Sequence, residues 1–162
     1  MKPKAYIETT VISYLTARLS RELVLAAHQQ VTRDWWSTRE AFELYVSQFV
    51  LDEASAGDAG AAARRAEALR DLGVLDLTRD ATLLAAELIR AGGLPVTAKI
   101  DALHIAVASV HGMDYLVTWN FKHIANAEIR KAIMRLAEKA GYSPSVICTP
   151  EELMGDSSNV RT

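Results

Sequence analysis

The chain has 162 residues, half of them apolar, and a formal net charge of −2 with acids and bases interspersed. At that length a domain buries roughly 70% of its unfolded surface, so a full core is expected, and no basic surface announces nucleic acid. The single cysteine, Cys148 in PSVICT, excludes an internal disulfide and reads as a small buried hydrophobe in a reducing, cytoplasmic compartment. The opening MKPKAYIETT has no apolar targeting core and no run is long enough to cross a bilayer, so a soluble protein without membrane contact is expected.

In chain order, β-rich runs fall at 5–8 (AYIE), 42–46 (FELYV), 74–77 (VLDL), 115–119 (YLVTW) and 145–149 (SVICT). Between them lie segments of helical length: Thr10 to His28 or beyond, Gln48 to Leu72 broken near Gly57 and Gly60, Arg79 to Ala91, Thr97 to His111, and Ala127 to Ala140. Strands alternating with helices predict an α/β fold: one domain, residues 1–155, with a parallel five-stranded sheet covered by helices on both faces. Ser47 and Thr78 are placed to cap helices, while Gly92, Gly93 and Gly141 are placed to end them. The segment 156–162 reads as a loose tail.

Open parallel sheets bind ligands beyond the carboxyl ends of their strands, which directs attention to Glu8-Thr9-Thr10, Ser47 to Glu53, and Thr118-Trp119-Asn120. Taken singly, each polar residue there has a plain reading. Glu8 is a solvated strand-end acid, Glu53 a surface acid, and Asn120 a turn former. Asp101, in the apolar stretch KIDALHIAVAS, is an acid favoured by the helix dipole by about 0.3 to 1 kcal/mol. Taken together they read differently, because the wiring brings these strand ends and the helix before the fourth strand to one edge. Carboxylates about 5 Å apart at an effective dielectric near 20 repel by roughly 3 kcal/mol, so three of them need protons or a cation. Oxygen donors without paired Cys or His point to Mg²⁺, with Mn²⁺ able to substitute.

His104, one turn after Asp101, reads first as a hydrogen-bonded core histidine that could touch the site. His123 reads as loop structure, with Lys122 and His123 within conceivable reach of a phosphate. The arginine clusters at 64–70 and 130–135 read as solvated helix faces, and the Trp residues as core or interface.

YIETTVISYL, FVLDEA, KIDALHIAVAS and DYLVTWNFKHIAN, in that order from about Ala5 to Thr149, resemble the PIN-domain nucleases, specifically the VapC-like toxins of bacterial toxin–antitoxin pairs. The resemblance implies catalytic roles for Glu8, Glu53, Asp101 and Asn120, with Glu8, Asp101 and Glu53 as metal ligands. It puts Thr9 and Thr118 beside them, and His104, by its own place one turn after Asp101, joins these two as a residue facing substrate or supporting the acids. Glu8 stands where the family usually has aspartate, and neutral Asn120 adds no charge to the site. The implied protein is a cytoplasmic, homodimeric, Mg²⁺-dependent endoribonuclease restrained by a small antitoxin. The alternative is a PIN module that binds RNA or protein without cutting. A receiver domain would want an acid pair after the first strand and a haloacid-dehalogenase-type phosphatase D-x-D there; ETT is neither.

Overall fold

A computed structural model describes residues 1–155. Five strands, β1 (Lys4–Ile7), β2 (Glu43–Ser47), β3 (Gly73–Leu75), β4 (Tyr115–Val117) and β5 (Val146–Cys148), form one sheet in the order β3-β2-β1-β4-β5. Every pairing is parallel. After Lys4 the central strand β1 is apolar, with Ala5, Tyr6 and Ile7 all at 0% exposure, as a strand covered on both faces requires.

Among the described residues seven α-helices flank the sheet in a three-layer arrangement: α1 (Thr9–Thr16), α2 (Leu23–Trp36), α3 (Gln48–Ala54), α4 (Ala59–Leu69), α5 (Arg79–Ala91), α6 (Lys99–Val110) and α7 (Ala127–Lys139). Every residue of α6 from Ala102 to Ser109 is buried, which is why KIDALHIAVAS carries apolar side chains on nearly all faces. Its packing joins Leu88 of α5, Ile12 of α1, Trp35 of α2 and Leu116 of β4 in a common core. Burying each such side chain contributes about 1.5 to 3 kcal/mol. Cys148 lies in the same core, where burial pushes its thiol up to about 12.

Three expectations need correction. The helix from Thr10 to His28 is two helices, because α1 stops at Ala17 in extended geometry and α2 starts at Leu23. No glycine or proline marks the break. It is held from α2: buried Gln29 accepts from Ser20 N (2.8 Å) and donates to Arg18 O (3.0 Å), while Arg33 donates to Ala17 O (2.8 Å). Ser47 makes no side-chain cap, since its hydroxyl is engaged by Tyr6. The third strand ends at Leu75, leaving Leu77 beyond the pairing and 48% exposed. Thr78 does cap α5, accepting from Ala81 N at 3.2 Å, and Gly93 and Gly141 follow α5 and α7 at φ +82° and +92°. The expected loose tail, 156–162, lies outside the described residues.

Candidate active site

The chain builds β1, β2 and β3 outward in one direction, then returns to place β4 on the other side of β1. The sheet order therefore reverses between β1 and β4. Glu8 stands at this switch point, where its backbone N donates to Val117 O at 3.0 Å. The solvated-acid reading fails here, because Glu8 is only 3% exposed. As the N-cap of α1 it accepts from Thr10 N (3.1 Å), and the same oxygen, Oε2, accepts from the hydroxyls of Thr10 and Thr118 (2.9 Å for Thr118). Burial raises the Glu8 pKa above the usual glutamate value; the charge of His104 and the bonds from Thr10 and Thr118 oppose this without cancelling it.

Glu53, near the end of α3, turns toward the sheet edge, unlike Asp52, which accepts from Gln48. Its Oε1 accepts from Thr9 Oγ1 (2.8 Å) and is paired with His104 Nε2 (2.7 Å). Behind it the chain of contacts continues inward: His104 Nδ1 meets the Tyr6 hydroxyl at 2.6 Å, and that hydroxyl meets Ser47 Oγ at 2.7 Å. His104 is fully buried while the Glu53 side chain is 43% exposed, so the imidazole anchors the acid from the core side. For Glu53, burial acts upward, but the hydrogen bond and charge of His104 and the bond from Thr9 outweigh it and leave the pKa lowered.

Asp101 sits in the first turn of α6, and both its oxygens are engaged. Asn120 Nδ2 donates to Oδ1 (3.1 Å), and His123 Nδ1 lies 2.8 Å from Oδ2. Asn120 is fixed on three sides, because its Oδ1 accepts from His123 N (3.1 Å) and its backbone N donates to Thr118 Oγ1 (2.9 Å).

The seven residues singled out in the sequence thus fall into two hydrogen-bonded chains, Asp101 to Asn120 to Thr118 to Glu8, and Thr9 to Glu53 to His104. The two meet at the Glu8-Thr9 peptide. Four participants were not picked out as site residues: Tyr6, Thr10, Ser47 and His123. Tyr6 lies two positions before Glu8, and a strand's period of two puts both on one face, a usable signal. His123 lies three positions after Asn120, a spacing that turn geometry alone does not reveal.

Hard oxygen donors suit Mg²⁺ or Mn²⁺, and Glu8 Oε1 and Glu53 Oε2 take part in no hydrogen bond among the described residues. The donor chemistry therefore fits a divalent ion. The arrangement is not a finished cage: among the described residues no three His, Cys, Asp or Glu side chains are gathered closely enough to hold a metal. Asp101 in particular would exchange its bonds to Asn120 and His123 for an ion. An apolar cavity of about 750 Å³ between α3, α4 and β3, lined by Leu51, Ala62, Leu69 and Val74, contains none of these residues.

A parallel sheet with its acids at the switch point defines a class of α/β proteins whose chemistry lies at the strand ends. The PIN domain model matches residues 5–128. The chain belongs to the PIN-domain family, whose members are generally nucleases that typically use divalent metals. Among solved structures it is similar to a chain from the crystal structure of VapBC2 from Rickettsia felis bound to a DNA fragment from their promoter. That match has a TM-score of 0.58 at 15% identity and covers 90% of this chain and 97% of the other. A search of curated proteins found no match.

Proposed function

We propose that this protein is a divalent-metal-dependent endoribonuclease and the toxin of a toxin–antitoxin pair. The observation that carries the reading is the joining of Glu8, Glu53, Asp101 and Asn120 through two hydrogen-bonded chains at the β1/β4 switch point of a PIN domain. Glu8, Asp101 and Glu53 would hold Mg²⁺, with Mn²⁺ as a substitute. The ion, when bound, supplies a nucleophilic water at neutral pH and stabilises charge on the phosphodiester. The chain's own residues do the positioning. Thr118 and Thr10 fix Glu8, His104 and Thr9 fix Glu53, and Asn120 orients Asp101. Supported mutual orientation of this kind is what catalysis by positioning requires.

The neighbouring VapBC2 structure supports, by analogy, a small antitoxin partner. Together with a homodimer, an RNA substrate, residues 1–155 acting as one unit and a cytoplasmic location, it completes the proposal. No described helix is long and apolar enough to cross a membrane.

One observation favours a second reading, a module that binds RNA or protein without cutting: both oxygens of Asp101 are already engaged. One assay separates the two. The purified protein is incubated with a mixed RNA pool, with and without Mg²⁺ or Mn²⁺, beside Asp101→Asn. Cleavage that needs the metal and Asp101 supports the nuclease. Cleavage surviving EDTA, or equal in the variant, rules out this mechanism, and RNA binding without cleavage favours the second reading.

A further inference from the structure

Four aromatic side chains form a cluster on the flank of the acidic site, and the hydrogen-bonded chains above do not use them. Trp119, between Thr118 and Asn120, is 4% exposed and sandwiched: the His28 ring stacks on it at 4.3 Å and 17°, and Tyr14 lies near-parallel at 5.9 Å and 13°. The indole is held at both ends, its backbone N donating to Thr10 Oγ1 (2.9 Å) and its Nε1 to Thr32 Oγ1 (2.8 Å). Phe121 caps the cluster, edge-on to Trp119 at 6.0 Å and tilted to His28 at 6.0 Å.

Phe121 is the exception within this cluster, with half of its surface exposed. It also adjoins Asn120, whose amide reaches Asp101. Its backbone is tied down, since Phe121 N donates to Trp119 O (3.0 Å) and the next turn returns Ile124 N and Ala125 N to Asn120 O. Ile124 and Ala125 are buried, anchoring the loop on its far side. Phe121 is thus a half-exposed aromatic ring on a tied-down backbone, next in the chain to Asn120, the residue bonded to Asp101, and so an apolar element beside the site. For a substrate that brings a phosphodiester to those acids, the adjoining group of matching chemistry is an unstacked nucleobase. Stacking suits it because every base has a π face and single strands present bases unpaired.

We infer that Phe121 is a positioning residue that stacks a nucleobase of single-stranded RNA next to the scissile phosphate, with the Trp119, His28 and Tyr14 stack as its rigid support. This rests on the nuclease reading above and adds the substrate feature it recognises. Base-paired RNA, whose bases are already stacked, is then a poor substrate.

The test takes a short single-stranded RNA that the wild type cleaves and measures kcat and KM for Phe121→Ala, Phe121→Leu and Phe121→Tyr. Ala and Leu should raise KM roughly 5- to 150-fold, the range that loss of one stacked base gives, while Tyr stays near the wild type. The same RNA with an abasic ribose placed in turn on each side of the cut needs no change to the protein. At one position it should reproduce the loss in the wild type and add little in Phe121→Ala, as two halves of one interaction must. Unchanged KM in Ala and Leu overturns the inference and frees the ring for a protein contact, leaving the nuclease reading intact. Full rescue by Leu overturns it too, because packing alone would then suffice. A wild type that cuts no RNA removes the nuclease reading and the inference with it.

Discussion

Thr118 Oγ1 donates a 2.9 Å hydrogen bond to Glu8 Oε2, joining residues 110 positions apart, both of them buried. The same hydroxyl oxygen accepts from Asn120 N, so one side chain couples the ends of β1 and β4 to the loop that carries Asn120. Replacing Thr118 with Val keeps the shape and removes both bonds. The expected cost is about 1 to 3 kcal/mol, measured by urea denaturation, because a buried carboxylate oxygen and an amide lose a partner together. A variant as stable as the wild type would mean that these bonds contribute nothing net.

Glu8→Gln tests the cost of burying a charge. Burial raises the folded-state pKa of Glu8, so the stability associated with its neutral form is full below the ordinary glutamate range and lost as pH rises through the folded pKa. In metal-free buffer the Gln variant should match the wild type at low pH and become the more stable of the two as pH rises. Melting temperatures across pH read this directly. A constant gap would mean that Glu8 titrates alike in the folded and unfolded chains.

Glu53 should behave in the opposite sense. Its pKa is lowered, burial being outweighed by His104 and Thr9, so its contribution is present above the ordinary glutamate range and lost as pH falls through the folded pKa. Glu53→Gln should therefore be less stable than the wild type near neutrality, with the difference closing on acidification. Because the side chain is 43% exposed, solvent screening should hold the effect to at most about 1 kcal/mol.

Asn120→Asp places a second carboxylate against Asp101 Oδ1, where an amide now donates at 3.1 Å. Without metal the variant should lose on the order of 1 to 3 kcal/mol through repulsion and the lost donor. Added Mn²⁺ should restore it more than it stabilises the wild type. An unchanged metal titration would place Asn120 outside any ion site.

Asp101→Asn should abolish cleavage and blunt the response to metal. Ligand binding stabilises the folded state by RT ln(1 + [L]/Kd), about 2.7 kcal/mol at a hundredfold excess over Kd, so the wild-type melting temperature should climb through a Mn²⁺ titration. The variant should climb far less. Parallel curves would mean that Asp101 serves the helix and not an ion.

The alternation of apolar runs, the caps at Thr78 and Gly141, and the all-apolar stretch of α6 are local properties, so the sequence alone determined the five strands, most of the helices and their layering. It also determined which strand ends carry acids, because strand termini follow from pattern. What lies across the sheet is different in kind. The split of α1 from α2 depends on Gln29 and Arg33 reaching back from the next helix, and the diversion of Ser47 from its cap depends on Tyr6 arriving from a neighbouring strand. The partner of each acid, Thr118 for Glu8, His104 for Glu53 and His123 for Asp101, is likewise set by packing between residues 22 to 110 positions apart. Only the tertiary structure decided these, because a carboxylate takes whichever donor the packed elements bring within about 3 Å, and no local pattern encodes that choice.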